Sequence, residues 1–143
     1  MKVKVKRLSN DVKLPQYQTE GSVGFDLESR ENLIIESGET ALISTGLSFE
    51  LPDKFEIQVR PRSGLALKHS ITVLNSPGTI DSDYRGELKV ILINHGKNSF
   101  SINIGDRIAQ AIINRVEIAI LEDVETISTT KRDSRGFGST GKS

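Results

Sequence analysis

The chain has 143 residues, 36% of them hydrophobic, with 19 basic residues balancing 19 acidic ones. This length makes one domain able to bury roughly 70% of its unfolded surface, and the lean hydrophobic content points toward association of subunits. Zero net charge argues against a general nucleic-acid or membrane binder, and the lack of cysteine rules out disulfides, thiolate nucleophiles and cysteine zinc sites.

In chain order, Met1-Lys2-Val3-Lys4-Val5-Lys6 alternates charge and valine, which predicts a strand over 2–6 and lacks the apolar core of a secretory signal. No apolar run approaches the ~20 residues of a membrane span. Further strands are expected at 32–36, 40–44 and 55–60, then a short helix at 64–69 capped by Ser63. More strands follow at 71–74, 88–94, 100–104 and 107–116. In the last run Ala109-Gln110-Ala111 is compatible with helix, but the isoleucines and the Gly105-Asp106 turn before it favour strand. Gly38, Gly46, Pro52-Asp53, Pro77-Gly78 and Gly96 punctuate the pattern. Short strands at this spacing predict an all-β sandwich, barrel or jelly roll.

The composition then changes. Residues 1–124 read as the β domain, whereas 125–143 carry only Ile127 and Phe137 as large apolar residues. Such a segment buries too little to offset its ordering entropy, so it is expected to be a mobile tail. Fully extended it would reach on the order of 60 Å, far enough to touch another subunit. Its end, Gly136 to Ser143, matches the letters of a P-loop, but neither the buried strand before it nor the helix after it is expected. A glycine-rich stretch beside arginines still has N–H groups able to wrap phosphate oxygens once ordered.

Four further constellations carry chemistry. Gly78-Thr79-Ile80-Asp81-Ser82-Asp83-Tyr84-Arg85-Gly86 places two carboxylates beside an aromatic face. A carboxylate next to a bound phosphate can deprotonate water, and the same letters also suit a polar hairpin. Arg62-Ser63-Gly64 at a helix start combines guanidinium, hydroxyl and N–H groups, a phosphate-binding set. Gly105-Asp106-Arg107-Ile108-Ala109-Gln110 feeds a turn into a strand, and Gly24-Phe25-Asp26-Leu27 sets one acid among hydrophobes. His69 and His95 have no ligand-like spacing and read as ordinary polar residues.

Taken in order with the tail from Arg132 to Gly141, these segments resemble the five motifs of the trimeric dUTPase family. The resemblance implies an all-β jelly roll, a homotrimer with active sites at subunit interfaces, and dUTP and Mg²⁺ as ligands. It implies action in the cytoplasm, with nucleus or organelle left open, and no membrane or nucleic-acid partner. Asp81 is then the general base. Tyr84 packs on the deoxyribose, and Asn75, Gly78, Thr79 and Ile80 form the uracil hairpin. Arg62, Ser63, Gly64 and Gln110 hold phosphates, and Asp26 lies near the metal through water. Phe137 stacks over uracil, while Arg132, Gly138, Ser139 and Thr140 grip the γ-phosphate. The tail departs from the family pattern, because two usual glycines are Asp133 and Arg135. The rivals are dCTP deaminase, disfavoured by Ser82-Asp83-Tyr84 after Asp81, and a non-catalytic nucleotide-binding regulator.

Overall fold

Period-two alternation of apolar residues sends alternate side chains to one face, and two such faces bury each other. A computed structural model of the protein describes residues 1–142, so Ser143, the last letter of the P-loop-like stretch, lies outside the described residues. It contains β1 (Lys4–Arg7), β2 (Phe25–Glu28), β3 (Leu33–Ile35), β4 (Thr40–Glu50), β5 (Phe55–Arg60), α1 (Ser63–His69), β6 (Ile71–Val73), β7 (Gly78–Ile80), β8 (Glu87–Asn94), β9 (Phe100–Ile102) and β10 (Arg107–Arg115). One sheet runs β1-β4-β8-β6, a second β2-β10-β5-β7, and β3 pairs with β9. Every pairing is antiparallel. This is the expected jelly-roll class, with α1 as its one helix among the described residues. None of its helices is long and apolar enough to cross a membrane.

The core lies between the sheets. Leu27, Ile43, Ile57 and Leu92 are wholly buried, with Val59, Ile71, Val90, Ile102 and Ile108 around them. Each such side chain contributes about 1.5–3 kcal/mol by leaving water. Asn94 is the polar exception. Its Nδ2 donates to the carbonyls of Ile35 and Asn98 at 2.9 and 2.8 Å, and its Oδ1 accepts from Gly96 N–H at 2.9 Å. With both ends of its amide bonded, it ties β3 to the end of β8 without an orphaned group.

The observed elements depart from the sequence expectation in four places. β4 does not stop at 44 but runs through Gly46 to Glu50, with a register shift between Ser44 and Ser48. Gly46 has φ +71°, and a Cβ there would lie 2.7 Å from a Val12 methyl, so this glycine makes a bulge within the strand and not its end. β2 and β7 are not among the expected strands, because Asp26 breaks the apolar run of the one and Pro77-Gly78 reads as a turn at the start of the other. The helix begins at Ser63, not after it. Its N-cap is Arg62, in extended conformation and without a side-chain cap bond, because the arginine side chain is drawn elsewhere. The remaining strand limits differ by one or two residues, as ends fray. Residues 107–115 are strand, as the isoleucines indicated.

Candidate active site

One row across the second sheet holds the first group of site residues. Asp26 on β2 lies opposite Gln110 on β10, which lies opposite Arg60 on β5. Pro61 ends β5, and the next residue throws its side chain back over the row. Arg62 Nε sits 3.3 Å from Asp26 Oδ1, and Arg107 Nη1 sits 3.3 Å from Asp26 Oδ2. Arg62 Nη1 also donates to the Arg107 carbonyl at 3.0 Å, and Gln110 Nε2 donates to the Pro61 carbonyl at 3.0 Å. Both ion pairs are looser than the about 2.7–2.9 Å of a tight charge-assisted bond. Two guanidinium groups share one carboxylate, so the cluster keeps one net positive charge. The Asp26 side chain is only 18% exposed, whereas those of Arg62 and Arg107 are 28% and 48% exposed, so the surplus positive charge is open to solvent. Gly24 makes the row possible, since a Cβ there would meet the Ala111 carbonyl at 2.9 Å and Gln110 Oε1 at 3.2 Å. Exposed Ser63 and Gly64 follow Arg62 on the first turn of α1.

The second group occupies the hairpin after β6. Ser76–Pro77 is a cis peptide. Asn75 folds against Gly78, where a Cβ would come 3.3 Å from Asn75 Nδ2 and 3.3 Å from Val59 Cβ. β7 then pairs Gly78 with Val59, Thr79 with Gln58 and Ile80 with Ile57. Beyond it the chain turns, with Tyr84 N–H donating to the Asp81 carbonyl at 3.2 Å. The Tyr84 hydroxyl donates to the Glu87 carbonyl at 3.0 Å, and Arg85 Nη1 donates to the Ser82 carbonyl at 2.6 Å. Asp81 and Asp83 form no ion pair among the described residues. They face a cleft of about 560 Å³ shared with Phe55, Glu56, Val116 and Ile118.

The chain does not bring the two groups together. Asp81 follows the residue paired to Ile57, whereas Asp26 and Gln110 lie at the level of Arg60. The four residue steps from Glu56 to Arg60 span about 14 Å at a strand's rise. Between the two ends runs a polar ladder that sequence reasoning missed. Arg60 donates to Gln58 Oε1 at 3.1 and 2.7 Å, and Gln58 Nε2 donates to Glu56 Oε1 at 2.8 Å. Period-two spacing of Glu56, Gln58 and Arg60 was the available signal. Arg107 was missed as a partner of Asp26, and no local signal exists for a pair so far apart in sequence.

The third group, on the tail, touches neither of the others. From Glu117 to Lys142 every residue but Gly136 is exposed, Phe137 fully so. The segment curls into turns of its own. Arg132 Nε donates to the Arg135 carbonyl at 2.9 Å, and Arg135 Nε donates to the Arg132 carbonyl at 3.1 Å. Of the two departures from the family glycines, Asp133 takes φ +48°, a left-handed conformation that Asp tolerates better than most residues. Arg135 is not among the positive-φ residues, so its side chain costs no backbone strain.

Among the described residues no three His, Cys, Asp or Glu side chains converge as a metal cage. Asp26 is the one carboxylate of the Asp26–Gln110–Arg60 row, and both its oxygens already face guanidinium groups. Mg²⁺ keeps several waters and is commonly held by one or two carboxylates plus substrate phosphates, so the residues present fit an ion carried in by a polyphosphate and touched through water.

A jelly roll with an arginine–carboxylate row at one end of a sheet and unpaired carboxylates at the other defines the class of the molecule by fold and charge. The dUTPase family model matches residues 10–141, and the chain belongs to that family. A deoxyuridine 5'-triphosphate nucleotidohydrolase of Nautilia profundicola is 57% identical over 142 residues, covering 99% of this chain and 100% of that protein. One of Wolinella succinogenes is 57% identical over 143 residues, covering 100% and 96%. The solved Staphylococcus bacteriophage 80alpha dUTPase with dUPNHPP superposes with a TM-score of 0.90 at 27% identity, covering 98% of each chain.

Proposed function

We propose that the protein hydrolyses dUTP to dUMP and pyrophosphate by water attack on the α-phosphorus, limiting uracil in DNA and supplying dUMP for dTMP synthesis. The observation that carries this reading is Asp81: a carboxylate without an ion pair, on a hairpin facing a nucleotide-sized cleft. Asp81 takes a proton from water as the water oxygen bonds to the α-phosphorus. The bond from that phosphorus to the bridging oxygen breaks, and pyrophosphate leaves with the electron pair. The proton then passes from Asp81 to solvent.

The other residues bind and discriminate. Arg62, Ser63, Gly64 and Gln110 hold phosphate oxygens, Arg62 by trading part of its contact with Asp26 for the stronger anion. Asn75, Gly78, Thr79 and Ile80 form the uracil pocket. A wrong base there leaves buried polar groups unpaired, which makes discrimination large. Tyr84 packs on the deoxyribose and leaves no room for a 2′-hydroxyl. Mg²⁺ bound with the substrate would neutralise phosphate charge and fix the α-phosphorus for attack, with Asp26 touching its waters.

The active unit is a homotrimer, with each site assembled from neighbouring copies. The half-sites lie about 14 Å apart along the strand direction and on opposite edge strands of the sheet, and Phe137 and the apolar Ile118, Ile120 and Leu121 stand exposed. The body at 1–124 presents both half-sites. The tail at 125–143 closes a site on another copy, bringing Arg132, Phe137, Gly138, Ser139 and Thr140 onto base and γ-phosphate. We place the activity in the cytoplasm, with the nucleotide pool.

Pyrophosphate release should be measured with Mg²⁺ on dUTP, dTTP, dCTP and UTP. Strong preference for dUTP is expected. Comparable release from dTTP, or ammonia from dCTP, overturns the reading, and a monomer by sedimentation overturns the shared site.

A further inference from the structure

The least expected feature of the hairpin is how Tyr84 is seated. Its ring lies against the backbone of Gly86, two residues on. A Cβ at Gly86 would fall 2.3 Å from the Tyr84 oxygen, 2.5 Å from Cζ and 3.0 Å from Cε2. No other glycine of the chain is overlain so closely. The hydroxyl reaches just past that backbone to accept its place, donating to the Glu87 carbonyl at 3.0 Å. Glu87 is itself anchored, because its Oε1 accepts from Gly46 N–H at 2.9 Å where β4 bulges. Gly86 has no φ in the left-handed region, so its backbone conformation does not by itself require glycine.

We propose that Gly86 is a positioning residue for sugar discrimination. Its bare α-carbon forms the floor on which the Tyr84 ring lies, and this fixes the ring face that meets the sugar. The inference deepens the proposed role of Tyr84 and rests on it. The chemistry follows from where the clash falls. Any side chain at 86 collides with the far end of an aromatic side chain and not with backbone. Tyr84 is 45% exposed, so the ring swings outward with little resistance from the core. The Gly86→Ala protein therefore folds normally but loses both the ring's floor and the hydrogen bond to Glu87. A displaced ring opens the space beside the sugar, so a ribonucleotide gains relative to its deoxy counterpart.

The test compares kcat/KM for dUTP and UTP in wild type, Gly86→Ala, Tyr84→Ala and the double variant, with thermal melting on each. Gly86→Ala should lower the dUTP-to-UTP ratio on the order of tenfold, the scale of one lost steric contact in a pocket, with an unchanged melting curve. In the double variant the alanine at 86 should add nothing to the effect of Tyr84→Ala, as expected for two residues acting as one unit. If Gly86→Ala leaves the ratio unchanged while Tyr84→Ala lowers it, the positioning role is wrong. Additive effects in the double variant also overturn it. If Tyr84→Ala itself leaves the ratio unchanged, the failure lies with the sugar-packing role of Tyr84.

Discussion

The two ends of the β2-β10-β5-β7 sheet are built on opposite principles. At the Asp26 end, charges from β2, β10 and the start of α1 are cross-linked to one another, and even the Gln110 amide is spent on a backbone carbonyl. At the Asp81 end the carboxylates have no ion pair, and order comes from backbone turns and from Tyr84 bonded to Glu87. A group that binds an anion gains from being fixed before the ligand arrives, since no reorganisation is then needed. The Asp81 carboxylate is left out of any ion pair, while Arg85 on the same turn is bound to the Ser82 carbonyl. One sheet accommodates both because about 14 Å of strand rise separates Arg62 and Arg107 from Asp81, the proposed base.

The contrast is broken most severely at the free end. Asp81→Asn keeps shape but removes the proton acceptor. Single-turnover assays should show kcat reduced on the order of 10³–10⁴-fold, with affinity for a non-hydrolysable dUTP analogue retained. Near-normal turnover would refute the assignment. Next is removal of the tail. A chain ending at Thr130 should keep its fold and assembly by sedimentation, yet lose on the order of 100-fold in kcat/KM as the substrate is left loosely held. Unchanged kcat/KM would show that the tail is not a lid.

At the cross-linked end the effects should be milder and fall on binding. Arg62→Lys replaces a planar fork with a point charge, and KM for dUTP should rise roughly tenfold with kcat less affected. A large kcat loss at constant KM would instead assign Arg62 to the transition state. The smallest effect belongs to an exposed salt bridge between β1 and β4. Lys4 Nζ bonds Glu50 Oε1 at 2.8 Å, and that hydrogen bond, followed by the lysine charge, holds the Glu50 carboxyl below its usual range. A lowered carboxyl pKa stabilises the fold above the ordinary glutamate range and loses that effect as pH falls through the lowered value. The pair is exposed and screened, so Glu50→Gln should leave the melting temperature at neutral pH nearly unchanged. A shift of several degrees would show that the β1 edge matters more than its exposure suggests.

How legible the molecule was depended on the range of the signal. Eight of the strands can be placed because short runs rich in apolar and β-branched residues stand between Gly, Pro, Asn and Asp breaks. Phe25–Glu28 and Gly78–Ile80 escaped because an acid interrupts the first and a Pro-Gly turn signal opens the second, although both hold site residues. Ser63 was taken for a cap from its residue type. Only the folded chain shows Arg62 in that position, its side chain committed to Asp26 and Arg107. Gly46 read as a stop because a glycine's letter does not say whether its open φ serves a turn or a bulge. The site residues were named from ordered motifs, which give identity but not proximity. Nothing in the spacing of Asp26, Arg62 and Arg107 says that they touch, or that Asp81 stands apart from them.

The sequence by itself determined the all-β class, the polar character of the tail and the side chains available for chemistry. Those properties follow from local composition and periodicity, which act over a few residues. The tertiary structure alone decided which charges neutralise each other, which carboxylate stays free, and that a bare α-carbon at 86 lies under an aromatic ring. These are outcomes of strand register, and register is set by the burial of a whole sheet face, a property no short window of residues contains.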